Sequence, residues 1–479
     1  MIKQILTWTL MAGCIGGTAF AQTGTDTWSL DRCLEYAQQS NIPLKQAQLD
    51  LDRNKALLSQ SQAAKHPNLN SSLSGSYNAG LYLDPFTNTL QNQNIGNANI
   101  NLLSTRVTLY NGGRLNNSIK RDDLNLQASQ FNLEQQNYDL SLQVASAYLS
   151  VLQRQELLGS AQFQLETTVE QRNRTEKLVK AGSLAPADLL QLESQIATEE
   201  LNVVNAENQL KVTYLNLMQV LNLEPTLEFE IEQIEVPEPP VEFDAPSLSE
   251  LYATAQTTQP VIQALDKSIE AAEYDVKVAK AGTLPSVVGF GDVNTGYSSS
   301  RRRQLPSVEA FLPLDVRFGE SNEVETIFVE SSLPQSEEYP FINQLGDNIS
   351  ATVGVSLQIP IYNRRQNKTA IELSQISMEN SRLTAQQTVQ TLKQNIQQAY
   401  VDAKSAHSNY KAAKRNFDAA ELNLQNVEKQ FELGVANSVD YLVAKNTLNM
   451  AKVDMVRTKF TYAFTRVVLE FYMGEELKF

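Results

Sequence analysis

Hydrophobic residues along the chain follow two periods. The clearest period-two stretch is Asn348 to Ile361. There Ile349, Ala351, Val353, Val355, Leu357, Ile359 and Ile361 alternate with Asn348, Ser350, Thr352, Gly354, Ser356 and Gln358. Successive side chains of a strand point to opposite faces, so this stretch predicts a strand with one apolar face. Its other face is small and polar. That suits a water-filled barrel lumen, although an ordinary sandwich strand would alternate in the same way. Less regular strands are expected near Asn68 to Tyr77, Ala98 to Tyr110 and Ser286 to Tyr297.

The second period is helical. Leu115 to Ala181 contains no proline and one glycine, and Gln366 to Leu433 contains neither. At about 1.5 Å per residue, each would form a helix roughly 100 Å long. Leu124, Phe131, Tyr138, Ala145 and Leu152 make one seven-residue stripe, and Val144, Val151, Leu158 and Leu165 make another. Stripes that persist this far predict coiled-coil packing with more than one neighbour. The surface between them is rich in Gln, Asn and Ser, which fits a wall of helices facing water on both sides. A simple long bundle would explain the stripes but not the strand pairs. Shorter helices are expected at Ser29 to Lys65, ending at Pro67, and at Ser247 to Lys280, ending at Gly282 and Pro285, since proline terminates helices.

These elements occur twice. Tyr110-Asn111 recurs as Tyr362-Asn363, an offset of 252 residues. The same offset pairs Ile119 with Ile371, Ala147-Tyr148 with Ala399-Tyr400, Gly182 with Gly434 and Asp188 with Asp440, without a gap. Earlier in each copy the offset is 218, pairing Leu30 with Leu248, Ala37 with Ala255 and Pro67 with Pro285. Repeats of this length organise a whole fold. The organisation expected is a first repeat at 22–222, a linker at 223–246 and a second repeat at 247–479. The second repeat carries an insertion near 298–347, whose Arg301-Arg302-Arg303 and prolines read as a long surface loop. The linker has eight acidic residues, five prolines and no Lys or Arg. Leu227, Phe229 and Ile231 alternate there with Glu228, Glu230 and Glu232, which suits one short half-buried strand.

Each long helix runs to a glycine, Gly182 or Gly434, the residue that best tolerates the left-handed end of a helix. Return helices are expected at Pro186 to Leu221 and Ser438 to Tyr472. Asp188 and Asp440 sit in their first turns, where a carboxylate suits the helix dipole. Both aspartates could simply stabilise helix starts or could act in function.

Composition narrows the choice. A net charge of -15 without a basic run argues against nucleic acid as a partner. Lys3, the apolar Ile5 to Ile15 and Ala19-Phe20-Ala21 read as a secretory signal at 1–21, so the mature chain would begin at Gln22. Lipoprotein processing at Cys14 is the competing reading. Without Cys14, Cys33 is the one remaining cysteine, read as a small buried residue. No apolar run of about 20 residues follows the leader, so a membrane would have to be crossed by a closed barrel. Four strands are too few to close one, and other subunits would have to complete it. Two histidines, His66 and His407, lack metal-ligand spacing, and no phosphate loop or nucleophile elbow appears. Neither catalysis, a cofactor nor a metal is expected.

The duplicated unit, Tyr110-Asn111-Gly112-Gly113 closing the second strand, and the paired Gly-x(5)-Asp tips at Gly182/Asp188 and Gly434/Asp440 resemble the TolC-like outer-membrane efflux protein family. The resemblance covers essentially the whole mature chain. It implies an α+β fold: a homotrimer whose twelve-stranded outer-membrane β-barrel, four strands per protomer, continues as a periplasmic α-helical coiled-coil barrel. It further implies a passive exit duct for efflux or type I secretion. Such a duct is coupled through a periplasmic adaptor to an inner-membrane RND, ABC or MFS pump. Carried over by motif, the adaptor-docking tips would be Ala181, Gly182, Ser183 and Leu184, with Leu433, Gly434, Val435 and Ala436. The entrance would involve Asp188, Phe431 and Asp440. The chain departs from the family pattern where Phe431 replaces a tyrosine, Ala436 an arginine and Val443 an acid, and where Arg364-Arg365 follow Tyr362-Asn363 in place of two glycines. A periplasmic coiled-coil adaptor or structural protein is the alternative. An adaptor would have one hairpin, and neither would have amphipathic membrane strands.

Overall fold

The computed structural model describes residues 27–83, 90–224, 229–317, 324–433 and 435–474. The expected leader at 1–21 with Cys14, part of the expected linker strand (Leu227 and Glu228) and Gly434 lie outside these residues. In chain order, β1 (Thr27–Trp28) is followed by α1 (Leu30–Ser40), α2 (Ile42–Ala63), β2 (Asn68–Leu83) and β3 (Leu90–Tyr110). The long helix α3 (Arg114–Lys180) and its return α4 (Pro186–Leu221) complete the first copy. After β4 (Glu230–Ile231) come α5 (Leu248–Thr258), α6 (Pro260–Ala281), β5 (Ser286–Ser298), β6 (Arg302–Arg317) and β7 (Val324–Glu338). Then follow α7 (Phe341–Asp347), β8 (Ser350–Gln358), the second long helix α8 (Gln366–Glu432) and α9 (Ser438–Met473).

Two of the expected helices are divided. The stretch expected at 29–65 breaks at Asn41 and that at 247–280 breaks at Gln259; both residues are extended. Pro43 has no N–H to continue the first helix, and Asn41 caps the next one, its Oδ1 accepting from Leu44 N at 3.0 Å. Gln259 directly precedes Pro260, which disfavours helical geometry at that position.

The chain forms two compact units, and each draws on both repeats. One comprises Leu49–Phe131 and Val261–Thr388, the other Met1–Gln48, Asn132–Pro260 and Val389–Phe479. The first holds an antiparallel four-stranded sheet in the order β2-β3-β5-β8. Its helix-connected ends lie together. The register pairs Tyr110 with Val287 and Ser286 with Gln358, and Asn367 Nδ2 at the start of α8 donates to Gly282 O beyond α6 at 2.6 Å. Gly112 and Gly113, at the turn from β3 into α3, have φ of 65° and 81°. A Cβ on Gly112 would lie 2.7 Å from Leu284 Cβ. Their counterparts Arg364 and Arg365 adopt the same left-handed backbone, with φ of 54° and 66°. The repeat therefore keeps the conformation after losing the glycines that make it easy.

The insertion expected as a loop at 298–347 instead contains two strands and a short helix among its described residues. β6 and β7 form a separate antiparallel hairpin. Val308 faces Leu333, Leu312 faces Val329 and Leu314 faces Ile327, so alternation across the two strands gives one apolar face. The prolines that signalled a loop are tolerated because each strand of a two-stranded sheet has a free edge, and Pro306 falls within the register shift between Leu305 and Val308. Beyond the hairpin, α7 is tied to the end of β5. The fully buried Gln344 accepts from Ser298 N at 3.0 Å and donates to Ser298 O at 3.1 Å.

In the other unit, the two repeats pack with equivalent residues. Cys33, Ala37, Val144, Val151 and Leu217 are buried in one core. Leu251, Ala255, Ile396, Ala403 and Leu469 occupy the corresponding positions of a second core, at offsets of 218 or 252. Tyr148 donates to Glu232 O at 2.8 Å and lies 3.2 Å from Trp28 O, beside the parallel pair β1–β4. Ile231 is buried here and Phe229 packs edge-on against Trp28 at 5.2 Å, so the acidic linker is anchored through a two-residue strand. Burial pushes the Cys33 thiol up to about 12.

Candidate functional site

The four-stranded sheet presents two unlike faces. On one, Leu69, Leu73, Tyr77 and Leu81 of β2 and Val353, Val355 and Leu357 of β8 are all exposed, with Val353 89% accessible. The apolar run continues past β8 through Ile359 to Ile361, which is 95% accessible. The opposite face carries Asn68, Asn70, Ser72, Ser74 and Ser76 on β2 and Thr352, Gly354, Ser356 and Gln358 on β8. Between them Ser104 Oγ donates to Asp292 Oδ1 at 2.6 Å. The ring of Phe290 also lies on this side and occupies the space over Gly354, where a Cβ would meet it at 2.6 Å. Large exposed apolar patches mark surfaces that meet something other than water. Among the described residues, both outer strands, β2 and β8, have one edge without a strand partner. No described helix is long and apolar enough to cross a membrane.

The tips of the two helical hairpins are built alike. At the first, Ser183 N donates to Leu178 O at 2.9 Å and Gly182 N to Val179 O at 3.0 Å, with Gly182 at φ 78°. This double bond pattern closes a helix on a left-handed residue. At the second, Val435 N donates to Gln430 O at 2.8 Å, the equivalent of the Ser183–Leu178 bond at an offset of 252. The expected tip residues Ala181, Gly182, Ser183, Leu433 and Val435 are exposed, and Leu184 and Ala436 are half-buried. Leu433 and Val435 put bare apolar side chains at the end of the second hairpin.

The expected entrance residues have different surroundings. Asp188 Oδ2 accepts from Ala185 N at 3.1 Å, closing the start of α4, and its Oδ1 accepts from the Ser438 hydroxyl at 2.5 Å. It thus ties the first tip to the second. Asp440 shares a capping box with Asn437: Asn437 Oδ1 accepts from Asp440 N at 2.9 Å. The Asp440 side chain remains exposed. Phe431 is turned inward, stacked on Tyr441 at 5.4 Å and packed with Leu192 and Leu442. Burial pushes the Tyr441 phenol up to about 12.

One cluster gave no signal in the hydrophobic pattern. Towards the tip, the buried positions of α3 become polar: Ser160, Thr168, Gln171 and Thr175. Glu199 of α4 and Lys445 of α9 meet there, each 3% accessible. The Thr168 hydroxyl joins them, accepting from Lys445 Nζ at 2.7 Å and donating to the Glu199 carboxylate. Gln195 donates to the other Glu199 oxygen at 2.9 Å. Burial pulls the Lys445 ammonium below its ordinary pKa, while the Glu199 and Glu428 carboxylates act against that shift.

The sequence model of the outer membrane efflux protein family matches residues 33–223 and 251–475. No curated protein matches the chain. Among solved structures, the CmeC outer membrane channel of Campylobacter jejuni is similar with a TM-score of 0.71 at 16% identity, over 93% of this chain and 85% of that one. The VceC outer membrane protein of Vibrio cholerae gives 0.70 at 14% identity, over 94% and 97%. The open state of the MtrE outer membrane channel of Neisseria gonorrhoeae gives 0.69 at 18% identity, over 94% and 89%.

Proposed function

The chain belongs to the outer membrane efflux protein family, and from that premise we propose that three copies join their sheets edge to edge into one twelve-stranded barrel through which cargo passes passively. The protein is an outer-membrane exit duct, and its family is one of channels rather than enzymes. The observation that carries the trimeric reading is the four-stranded sheet itself, with two free edges, one exposed apolar face and one polar face. A free edge in hydrocarbon would leave backbone groups without partners, so β2 of one copy pairs with β8 of the next. The apolar face then meets lipid, and the Asn- and Ser-lined face meets water in the lumen.

In this reading the two repeats, 22–222 and 247–479, each supply a strand pair and a helical hairpin, and the hairpins extend into the periplasm as a helical tunnel. Their tips, Ala181 to Leu184 and Leu433 to Ala436, dock on a periplasmic adaptor linked to an inner-membrane pump. The exposed Leu433 and Val435 supply apolar contact for that docking. Asp440, exposed at the start of α9, lines the entrance together with Asp188. With Phe431 packed against Tyr441 and no arginine at Ala436, the closed entrance is held by packing and by the Asp188–Ser438 bond. Single-channel recording in planar bilayers tests the reading. The purified protein should conduct, and Asp440→Lys should lower cation conductance and block by divalent cations. Conductance unchanged by that charge reversal would remove Asp440 from the entrance, and absence of conductance would remove the duct.

A further inference from the structure

The acidic chain carries only positive charge where its four-stranded sheet meets α2, α3, α6 and α8. Asp and Glu are absent from 53–83, 85–121, 276–291 and 348–371, the stretches that contain the four junctions of the sheet with α2, α3, α6 and α8. Those junctions carry Lys65 before β2, Arg114 after β3, Lys280 before β5, and Arg364, Arg365 and Lys368 after β8, and all six are exposed. Among the described residues, Arg365 pairs with Glu372 at 3.5 Å, and the other five have no carboxylate partner. The junctions are contiguous. The Asn367–Gly282 hydrogen bond joins the β8–α8 turn to the α6–β5 turn, and Gly112 of the β3–α3 turn lies against Leu284 of the latter. Deeper into the helices the basic residues are neutralised, as in Arg121 with Asp122 and Asp275 at 2.8 and 3.1 Å. The cluster begins where the exposed apolar face stops, at the exposed Tyr110 and Tyr362.

We propose that these six residues form a basic girdle that binds the phosphate headgroups of anionic phospholipids in the leaflet nearer the helices. The proposal rests on the barrel reading above, because it needs the apolar sheet face to sit in lipid. Apolar strands, then tyrosines, then exposed basic side chains is the sequence of polarity met on leaving hydrocarbon for the headgroup layer. Arg and Lys near an anionic lipid surface each contribute favourably, and Arg can hold a phosphate through two donors. Joining β2 of one copy to β8 of the next would place Lys65 beside the neighbour's Arg364 and Arg365, which closes the girdle into a ring.

Native mass spectrometry of the full-length assembly in neutral detergent tests this with phosphatidylglycerol and phosphatidylcholine of equal chain length. Phosphatidylglycerol should be retained at least about tenfold better. The preference should vanish when Lys65, Lys280, Arg364 and Arg365 are all changed to Gln. It should persist when the exposed Lys404, Lys411, Arg415 and Lys429 of α8 are changed instead. Equal retention of both lipids, or a girdle variant that keeps the preference, would overturn the proposal. So would displacement of the lipid by millimolar inorganic phosphate. The same spectra report whether each variant still assembles. Carbonate extraction of membranes separates the two readings. A protein released by carbonate refutes the barrel, whereas an integral protein without lipid preference refutes only the girdle.

Discussion

Substituting Lys445 probes how the hairpin near its tips is held. Glu199 and Lys445 are each 3% accessible, and Thr168 between them has no accessible surface, so solvent screens none of the three. Lys445→Met leaves the Glu199 carboxylate buried without its cation. Leaving a buried charge uncompensated in this way costs about 3–5 kcal/mol. At about 1.4 kcal/mol per factor of ten, local opening should become roughly 100- to 4000-fold more frequent. Adding Glu199→Gln removes that charge. Thr168 still reaches Gln164 O at 2.9 Å, and Gln195 still reaches Asn446 at 3.2 Å, so the pair's neighbours keep partners. The double variant should therefore be closer to wild type than Lys445→Met alone. Amide hydrogen exchange of the segments around Thr168, Glu199 and Lys445 reads these local openings directly. Lys445→Met exchanging within threefold of wild type would refute the reasoning. So would a cycle in which the two single effects simply add.

Two glycines should respond in opposite ways. Gly112→Ala forces a side chain into the left-handed region and against Leu284, so the thermal midpoint should fall, with a cost of about 1–3 kcal/mol. Gly159 lies within α3 with open space around it, and Gly159→Ala should raise the midpoint, with a gain of about 1 kcal/mol. Cys33, fully buried and with its thiol raised to about 12 from 9.0, should resist maleimide at pH 8 in the folded protein and react on unfolding. A raised thiol pKa means the folded state holds its proton more tightly. That contribution to stability is fully present below pH 9 and is lost as pH rises towards 12.

Much of the fold is written in periodicity. Strand β8, the two long helices and the end of the first one follow from alternation, from proline-free runs and from Gly182, because these features determine backbone geometry locally. The duplication also carries into packing, as the Val144/Ile396 and Leu217/Leu469 pairs occupy equivalent core positions. The hairpin at 302–338 was hidden by its prolines, since only pairing with the facing strand reveals that they sit at free edges and in a register shift. The breaks at Asn41 and Gln259 were signalled by Pro43 and Pro260, but the apolar pattern runs through both. The Thr168–Glu199–Lys445 cluster was invisible because its members come from three helices and resemble solvated polar residues until packing buries them. Motif alone singled out Asp188 and Phe431 as residues of the tips, whereas their contacts with Ser438 and Tyr441 depend on how the two tips fold against each other.

The most direct test of the duct is electron microscopy of the protein extracted from outer membranes in mild detergent, combined with its mass in the same preparation. The account predicts three copies per particle, threefold averages and a detergent belt around the joined sheets, with the helices projecting from one side. A particle containing one copy, or a trimer without a detergent belt, would contradict it.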